Sequence, residues 1–368
     1  MRPLLGMTLA ELQELLVEWG QPRFRAGQLF EWVYRELETD FGQMTNLPRR
    51  LRERLAAELD PAVVHPLHAL TADDGLTEKA LMELGRPRDQ LLAGPLGERR
   101  RRFNTVEAVL MRYRGQTPRR TVCVSSQAGC AMACEFCATG QLGFVRDLTA
   151  GEILGQVLHF ARRVRAIEGP GSRLTNLVFM GQGEPFANFE NVWPAVELLH
   201  APEAFGLGAR HITLSTVGVV PRIRELAEKP LQVNLAVSLH AANDGLRSRL
   251  VPLNRRYPLA ELIAACRDYV ARTRRRISFE WAVIGDVNDS TRDAGELADL
   301  VGDMLCHVNL IPLNATPGAP FQPPPPGRIE AMVRALETRG VTTTVRDTRG
   351  RQIDAACGQL RARLLESA

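Results

Sequence analysis

Two stretches decide how this chain folds: Thr121-Val-Cys-Val-Ser125 and, shortly after it, Cys130-Ala-Met-Ala-Cys134-Glu-Phe-Cys137. The first is an apolar strand, and the second is a C-x₃-C-x₂-C triplet on the loop that follows. Three closely spaced thiolates can face one metal centre, whereas the cubane clusters of ferredoxins use four cysteines. A cluster held by only three cysteines leaves one iron open to bind another molecule.

The triplet has other interpretations: a structural zinc site, a disulfide or a buried apolar cluster. Structural zinc sites take four ligands, and no histidine lies near the triplet in the sequence. Structural disulfides are rare in a reducing compartment. The spacing therefore favours an iron–sulfur site over these alternatives.

Strands and helices alternate from about residue 119 onward. The predicted strands are continuous apolar runs, as in a parallel sheet that is buried on both faces. Six or so strand–helix units predict an α/β fold, a full or partial (βα)₆ barrel, with ligands at the carboxyl ends of the strands. The predicted strands are Thr121–Ser125, Leu174–Met180, Ile212–Ser215, Val233–Leu239, Ile277–Ile284, Val308–Pro312 and Val341–Val345.

The sequence predicts two smaller units before the barrel. Residues 1–60 have helical periodicity, with a capping box from Thr8 to Glu11. Residues 61–118 consist of short alternating segments, which indicate a small antiparallel β extension. We therefore expect a helical accessory domain over 1–60, a β linker over 61–118 and the barrel over 119–368.

The composition is typical of a globular protein, with 368 residues, 45% of them apolar and 24% charged. No apolar run approaches the ~20 residues of a membrane-spanning helix. The first residues lack the apolar core of a signal peptide. The sequence thus predicts a soluble, cytoplasmic protein with no membrane partner.

Arginine supplies nearly all of the positive charge. Lys79 and Lys229 are the only lysines among 46 basic residues, and the net charge is +4. Several arginines are clustered, and Arg99–Arg102 are consecutive. Arginine binds phosphate through its guanidinium group and stacks on bases. Charge alone leaves two interpretations open, nucleic-acid contact and ordinary solvated faces.

The triplet belongs to a longer series of motifs that resembles the RlmN/Cfr family of the radical S-adenosylmethionine superfamily. The resemblance covers residues 105–360, and residues 1–60 are similar to the accessory domain of that family. It implies methylation of an adenine carbon in 23S ribosomal RNA, and in transfer RNA for some members. The motifs are Cys123-Val-Ser-Ser-Gln-Ala-Gly-Cys130, Met180-Gly-Gln-Gly-Glu-Pro185, Leu214-Ser-Thr-Val-Gly218, Ala236-Val-Ser-Leu-His-Ala241, Asn309-Leu-Ile-Pro-Leu-Asn314 and Asp354-Ala-Ala-Cys-Gly-Gln359.

The resemblance implies two cofactors. Cys130, Cys134 and Cys137 would hold one 4Fe–4S cluster, whose open iron binds S-adenosylmethionine, and two molecules of S-adenosylmethionine are used per turnover. The glycines after a buried strand allow close backbone approach, and Glu184 can accept a hydrogen bond from the ammonium group of that molecule. The implied S-adenosylmethionine-binding residues are Gly183, Glu184, Ser215, Ser238, Leu239, His240 and Asn314.

The resemblance also implies three reacting residues outside the cluster. Cys357 takes a methyl group from one S-adenosylmethionine, and a 5′-deoxyadenosyl radical from the second removes hydrogen from that group. The methylene radical adds to the adenine, Glu107 removes the C2 hydrogen as a proton, and Cys123 releases the RNA through a transient disulfide with Cys357. The residues alone would favour a buried thiol at Cys357 and a solvent-facing Glu107. Cys266 and Cys306 are expected to be core residues on helix faces.

The implied partners are 23S ribosomal RNA, transfer RNA and an electron donor such as a flavodoxin-type reductant, with the chain acting as a monomer. The predicted RNA surface comprises the arginines from Arg99 to Arg120 and the N-terminal helices. Methylation at C8, as in the antibiotic-resistance branch of the family, is the alternative to C2. A non-catalytic iron–sulfur RNA-binding protein is the alternative from another class.

Overall fold

Three helices form the beginning of the chain: α1 (Leu9–Glu18), α2 (Phe24–Phe30), which continues as a π-helical segment, and α3 (Arg49–Glu58). The predicted capping box is confirmed. Thr8 Oγ1 accepts from the backbone N–H of Glu11 at 3.2 Å, and the Glu11 carboxylate accepts from the N–H of Thr8 at 2.7 Å. The structure, a computed structural model, describes residues 1–85, 104–315, 319–346, 349–356 and 358–360.

A short parallel sheet closes the helical region. β1 (Arg2–Pro3) pairs with β2 (Leu59–Asp60), so the beginning and end of the first sixty residues lie side by side. The apolar faces of the three helices belong to the same buried core as the barrel.

An antiparallel meander follows, made of β3 (Val64–Ala72), β4 (Thr77–Leu84) and β5 (Thr105–Tyr113). β5 also pairs with β6 (Arg119–Cys123), so the meander and the barrel share one ten-stranded sheet. The sequence does not predict β3 as a separate strand, because most of its residues are exposed at the sheet edge and show no apolar alternation. The boundary expected at residue 118 therefore lies within a continuous sheet, and the domain division stays a prediction.

Seven parallel strands form the predicted partial barrel, which is confirmed. After β6 come, in spatial order, β9 (Asn176–Phe179), β10 (Ile212–Thr216), β11 (Asn234–Ser238), β12 (Ile277–Val283), β13 (Cys306–Pro312) and β14 (Thr343–Val345). The connecting helices are α5 (Ala150–Glu168), α6 (Phe189–His200), α7 (Val220–Glu228), α9 (Leu259–Thr273), α10 (Thr291–Val301) and α11 (Arg328–Thr338). The carboxyl ends of all seven strands therefore meet at one edge of the sheet.

Smaller elements surround that edge. β7 (Gln127–Gly129) and β8 (Phe144–Asp147) form a hairpin that encloses the cysteine triplet and α4 (Ala138–Leu142). α8 (Asp244–Leu250) follows β11 and contains the buried Arg247.

Helix α5 joins the N-terminal region to the barrel. A β-carbon at Gly151 would lie 2.3 Å from the Leu5 carbonyl oxygen, and one at Gly155 would lie 2.8 Å from Val64 Cγ2. Both distances are shorter than a β-carbon normally allows. The two glycines therefore let the segments around Leu5 and Val64 lie directly on α5.

The expectation for the remaining cysteines is half right. Cys266 is fully buried on α9, as predicted, whereas Cys306 begins strand β13 and is only half-buried. Helix α10 ends at Val301, so Cys306 falls in the parallel sheet and not on a helix face. In the described part of the chain, none of the helices has the length and apolar character that crossing a membrane requires.

Candidate active site

The cysteine triplet lies on the loop between β7 and α4, after the first barrel strand as predicted. The hairpin holds the start of the loop, because the backbone N–H of Cys130 donates to the Gly143 carbonyl at 2.9 Å. Within the loop, the N–H of Cys137 donates to the Cys134 carbonyl at 3.2 Å. All three cysteines line one pocket at the carboxyl ends of the strands.

Burial in this pocket disfavours the thiolate forms of Cys130 and Cys134 unless a positively charged group binds them. Burial raises the pKa of Cys130 to about 12 and holds the pKa of Cys134 well above its usual value, and the neighbouring thiols raise both further. Bound metal reverses this preference, since a coordinating thiol is deprotonated outright. Among the described residues, no three His, Cys, Asp or Glu side chains stand close enough to hold a single metal ion. Two observations support a larger cluster at this site: the three cysteines line one pocket, and the thiol of Cys137 acts electrostatically on Cys130 and Cys134.

The glycine-rich turn after β9 brings Glu184 into the same pocket. Gly183 has a φ of +96°, and a β-carbon there would lie 2.5 Å from the Cβ of Gln127. Glu184 accepts backbone hydrogen bonds from Phe186 at 3.0 Å and from Val217 at 2.8 Å. Burial raises the pKa of Glu184 to about 7, although these two N–H groups oppose the change. The Glu184 carboxylate therefore connects the turn after β9 to Val217, the residue that follows β10.

His240 follows β11 in the left-handed conformation, with a φ of +63°. Its Nδ1 accepts from the backbone N–H of Ala282 at 2.9 Å, which assigns the remaining ring proton to Nε2. The ring of Phe136 meets it edge to face, with 4.7 Å between centroids. Burial, assisted by the positive charge of Arg247, lowers the pKa of His240 to about 3. His240 is therefore a neutral hydrogen-bond donor at neutral pH.

The structure brings most of the predicted S-adenosylmethionine-binding residues together. Ser215, Ser238 and Asn314, at or after the ends of β10, β11 and β13, line the pocket with Glu184 and His240. Leu239 is fully buried and is not among the described residues that line it. The backbone carbonyl of Leu239 accepts a hydrogen bond from Nε of the buried Arg247 at 3.1 Å.

Several lining residues were not among the predicted site residues, and three of them are Met180, Glu280 and Arg346. Glu280 Oε2 accepts from Asn309 Nδ2 at 2.8 Å and lies 3.8 Å from the Arg346 guanidinium. Burial raises the pKa of this carboxyl. A carboxylate within the apolar run of β12 is a signal in the sequence that could have identified Glu280. Arg346 carries no such signal, because arginines occur throughout the chain.

A second pocket adjoins the first and contains Cys123, which is buried at the end of β6. Ala355 and Ala356, directly before Cys357, line the same pocket. Cys357 itself lies outside the described residues. The two pockets share Met180, Ile311 and Arg346.

The C-terminal segment also contacts the cysteine loop. The backbone N–H of Ala138 donates to the Gly358 carbonyl at 2.8 Å, and the Thr139 hydroxyl donates to the Leu360 carbonyl at 2.9 Å. Ala138 follows Cys137, and Gly358 follows Cys357. These bonds therefore hold Gly358 and Leu360 beside the cysteine loop.

Glu107 is fully buried on β5, so the solvent-facing alternative that the residues alone favour is wrong. Its Oε1 lies 2.8 Å from Nζ of Lys79 on β4. Its backbone carbonyl accepts from the Ser125 hydroxyl at 2.6 Å. Glu107 is not among the described residues that line either pocket, and its carboxylate lies within the sheet beside Lys79.

The predicted RNA surface is described only in part. Arg99–Arg102 lie outside the described residues. Arg112 and Arg120 both pair with Glu168 of α5, and Arg119 stacks on Tyr113 with 4.1 Å between the guanidinium carbon and the ring centroid. Their role in RNA binding stays a prediction.

Two family models match this chain in separate parts. Residues 3–60 match the ribosomal RNA large subunit methyltransferase N-terminal domain, and residues 124–298 match the radical SAM superfamily. The radical SAM family uses a 4Fe–4S cluster and S-adenosylmethionine, which are therefore the cofactors of this chain.

Relatives of known name match along almost the whole chain. A protein of Chloroflexus aurantiacus is 47% identical over 98% of this chain and 93% of its own length. One of Salinispora arenicola is 48% identical over 98% of this chain and 91% of its own length. Each carries the name "Probable dual-specificity RNA methyltransferase RlmN".

A solved structure agrees with these relatives. The crystal structure of a radical SAM methyltransferase from Sphaerobacter thermophilus superposes with a TM-score of 0.90 and 50% sequence identity. The superposition covers 98% of this chain and 100% of that one. The chain belongs to the RlmN family of radical S-adenosylmethionine RNA methyltransferases.

Proposed function

We propose that this chain methylates C2 of an adenine in 23S ribosomal RNA and in transfer RNA, with Cys357 carrying the methyl group. The observation that supports it most is the 2.8 Å hydrogen bond from Ala138 to Gly358. It joins the residue after Cys137 to the residue after Cys357, which supports the assignment of both cysteines to one site. The names of the relatives, which refer to dual specificity and RNA, support the two substrates.

In this proposal Cys130, Cys134 and Cys137 hold the cluster, and Glu184, Ser215, Ser238, His240 and Asn314 surround S-adenosylmethionine. The cofactors together supply methyl transfer and a carbon-centred radical, chemistry that unassisted side chains cannot perform at an aromatic carbon. The neutral His240 supplies a donor, and the pocket encloses the reacting groups away from bulk water.

Cys123 and Glu107 complete the reaction on the RNA. Glu107 accepts the C2 proton of the covalent adduct, and the electron pair of the C–H bond remains with the adduct. The one surplus electron that radical addition leaves on the adduct would pass to the iron–sulfur cluster. The Cys123 thiolate then attacks the Cys357 sulfur. A sulfur–sulfur bond forms, the sulfur–carbon bond to RNA breaks, and its electron pair stays on the carbon, which takes up a proton to become the methyl group. The pocket that Cys123 shares with Ala355 and Ala356 supports this pairing.

The remaining assignments complete the proposal. Residues 1–60 form the accessory RNA-binding domain, 61–118 the β linker and 119–368 the catalytic barrel. The enzyme acts as a monomer in the cytoplasm, with electrons from a donor such as a flavodoxin-type reductant. The Cys123–Cys357 disulfide must be reduced before the next turnover. A monomer suits an active site whose proposed residues all come from one chain.

The experiment that tests the function is anaerobic reconstitution followed by assay on both RNAs, with mass spectrometry of the modified adenosine. We expect 2-methyladenosine from the unmodified enzyme and none from Cys357→Ala. Cys266→Ala is the matched control, because Cys266 is buried on α9 outside both pockets. Full activity of Cys357→Ala would refute the mechanism, and 8-methyladenosine as the only product would refute the choice of C2.

A further inference from the structure

Lys79 is an unusual residue in this chain. It is one of two lysines among 46 basic residues. The other, Lys229, lies at the C-terminal end of α7 beside Glu225. Only 5% of the Lys79 side chain is exposed, and its partner Glu107 is not exposed at all. A chain that uses arginine almost everywhere therefore has lysine at its buried ion pair.

The register of the sheet places Lys79 among the proposed reacting residues. Lys79 lies opposite Val109 on β5, and Val109 lies opposite Cys123 on β6. Directly opposed residues share a face of the sheet, as do residues two apart along a strand. Lys79, Cys123 and Glu107 therefore project from the same face across three strands.

Lys79 also reaches the C-terminal segment. Its Nζ donates to the backbone carbonyl of Asp354 at 3.3 Å. Asp354 lies three residues before Cys357 in the sequence. One ammonium group thus links the proposed proton acceptor to the segment that carries the proposed methyl carrier.

The choice of lysine has a physical reason. An ammonium group is a compact point charge with three donors that turn freely, whereas a guanidinium is a planar fork suited to bidentate partners. The two acceptors of the Lys79 ammonium group are a carboxylate oxygen of Glu107 on β5 and the backbone carbonyl of Asp354 in the C-terminal segment. A buried carboxylate keeps its charge only with a paired cation, since desolvation favours the neutral form.

We propose that Lys79 is a positioning residue that holds the Glu107 carboxylate in place through their ion pair and tethers the segment carrying Cys357. This inference rests on the proposed function. The step that it serves is a proton transfer: the C2 proton of the adduct passes to the Glu107 carboxylate, and the C–H electron pair stays with the adduct. Without Lys79, the RNA stays attached to the enzyme for longer.

The test measures the covalent RNA–protein adduct on denaturing gels during a single turnover of the reconstituted enzyme. We expect Lys79→Met to resolve the adduct at least tenfold more slowly than the unmodified enzyme, as Glu107→Gln does. Lys79→Arg, which keeps the charge, should resolve it faster than Lys79→Met. Lys229→Met is the matched control and should behave like the unmodified enzyme.

Each outcome decides one question. Normal resolution by Lys79→Met, or equal defects in Lys79→Met and Lys79→Arg, would overturn the role of the Lys79 charge. Normal resolution by Glu107→Gln would instead overturn the proton acceptor assigned in the proposed function. The two failures are therefore distinguishable.

A second measurement does not require enzyme activity. The double variant Lys79→Met/Glu107→Gln removes both charges of the ion pair, so neither is left buried without its partner. It is compared with the single variant Glu107→Gln, in which Lys79 keeps its hydrogen bond to the Asp354 carbonyl. Hydrogen exchange at the Ala355 amide, which bonds to the Gly350 carbonyl at 2.9 Å, reports on the segment. We expect at least tenfold faster exchange in the double variant, and equal exchange would refute the tether.

Discussion

At the scale of single residues, the pocket controls protonation by burial more than by charged partners. His240 illustrates this, because its Nδ1 is occupied by the Ala282 N–H and its ring is shielded by Phe136. Protonation would break the bond to Ala282 and place a charge beside Arg247. The ring therefore remains a neutral donor over the whole physiological pH range.

This arrangement predicts a specific dependence of stability on pH. The pKa of His240 is lowered from 6.5 to about 3 on folding, so below pH 6.5 only the unfolded chain takes up this proton. The free energy of unfolding should then fall as pH decreases, by about 1.4 kcal/mol per pH unit from this residue. His240→Asn keeps an acceptor for Ala282 and tolerates the positive φ, but it does not titrate.

Denaturant unfolding of the cluster-free chain between pH 6.5 and 4 measures the effect. The difference in unfolding free energy between the unmodified chain and His240→Asn should change by about 1.4 kcal/mol per pH unit. His68→Asn, at an exposed position on β3, is the control. A constant difference across this range would show that His240 ionises in the folded chain.

At the scale of elements, α5 joins the N-terminal helices to the barrel by direct backbone contact. Thr149 and Glu152 form a capping box at its start, which fixes where the helix begins. Gly151 is then placed against the Leu5 carbonyl. A helix usually loses stability at an interior glycine, so this one is explained by the close approach.

Gly151→Ala should therefore destabilise the chain although alanine favours helix. The added methyl group would meet the Leu5 carbonyl oxygen at 2.3 Å, and overpacking of this kind costs about 1–3 kcal/mol. Gly27→Ala on α2 is the matched control, because nothing lies within 4 Å of its β-carbon position, and it should stabilise by about 0.5–1 kcal/mol. Denaturation curves give both values, and limited proteolysis should release the first sixty residues earlier in Gly151→Ala. Equal stability of the two variants would contradict the contact.

At the scale of the whole molecule, one ten-stranded sheet joins the meander that carries Lys79 and Glu107 to the barrel that carries the cysteine loop. Antiparallel pairing between β5 and β6 is the connection. Substrate RNA must reach this junction, and the adenine has to leave its stack to enter the site.

The arginines from Arg99 to Arg120 are the expected RNA surface, and charge reversal at Arg99–Arg102 tests this prediction. RNA affinity should fall, and the slope of log affinity against log salt should become shallower by about 0.7–0.9 for each phosphate that the protein no longer neutralises. Cleavage of S-adenosylmethionine should be unchanged. Reversal of the exposed Arg224 and Arg334, on α7 and α11, is the control. Unchanged RNA affinity after reversal of Arg99–Arg102 would exclude this patch.

Features that depend on residues near one another in the chain are predictable from the sequence alone. The spacing of Cys130, Cys134 and Cys137 and the glycines before Glu184 predict where these residues lie, because each group occupies a single loop after a single strand. The apolar runs likewise predict the parallel strands, since burial on both faces requires them.

Contacts between residues that are distant in the sequence become visible only in the folded chain. The burial of Glu107, its pairing with Lys79 and the bond from Ala138 to Gly358 depend on strand register and on the return of the C-terminal segment. Glu280 and Arg346 join the pocket for the same reason. A local pattern specifies the face on which a side chain lies, but its partner across the sheet is set by how all ten strands align.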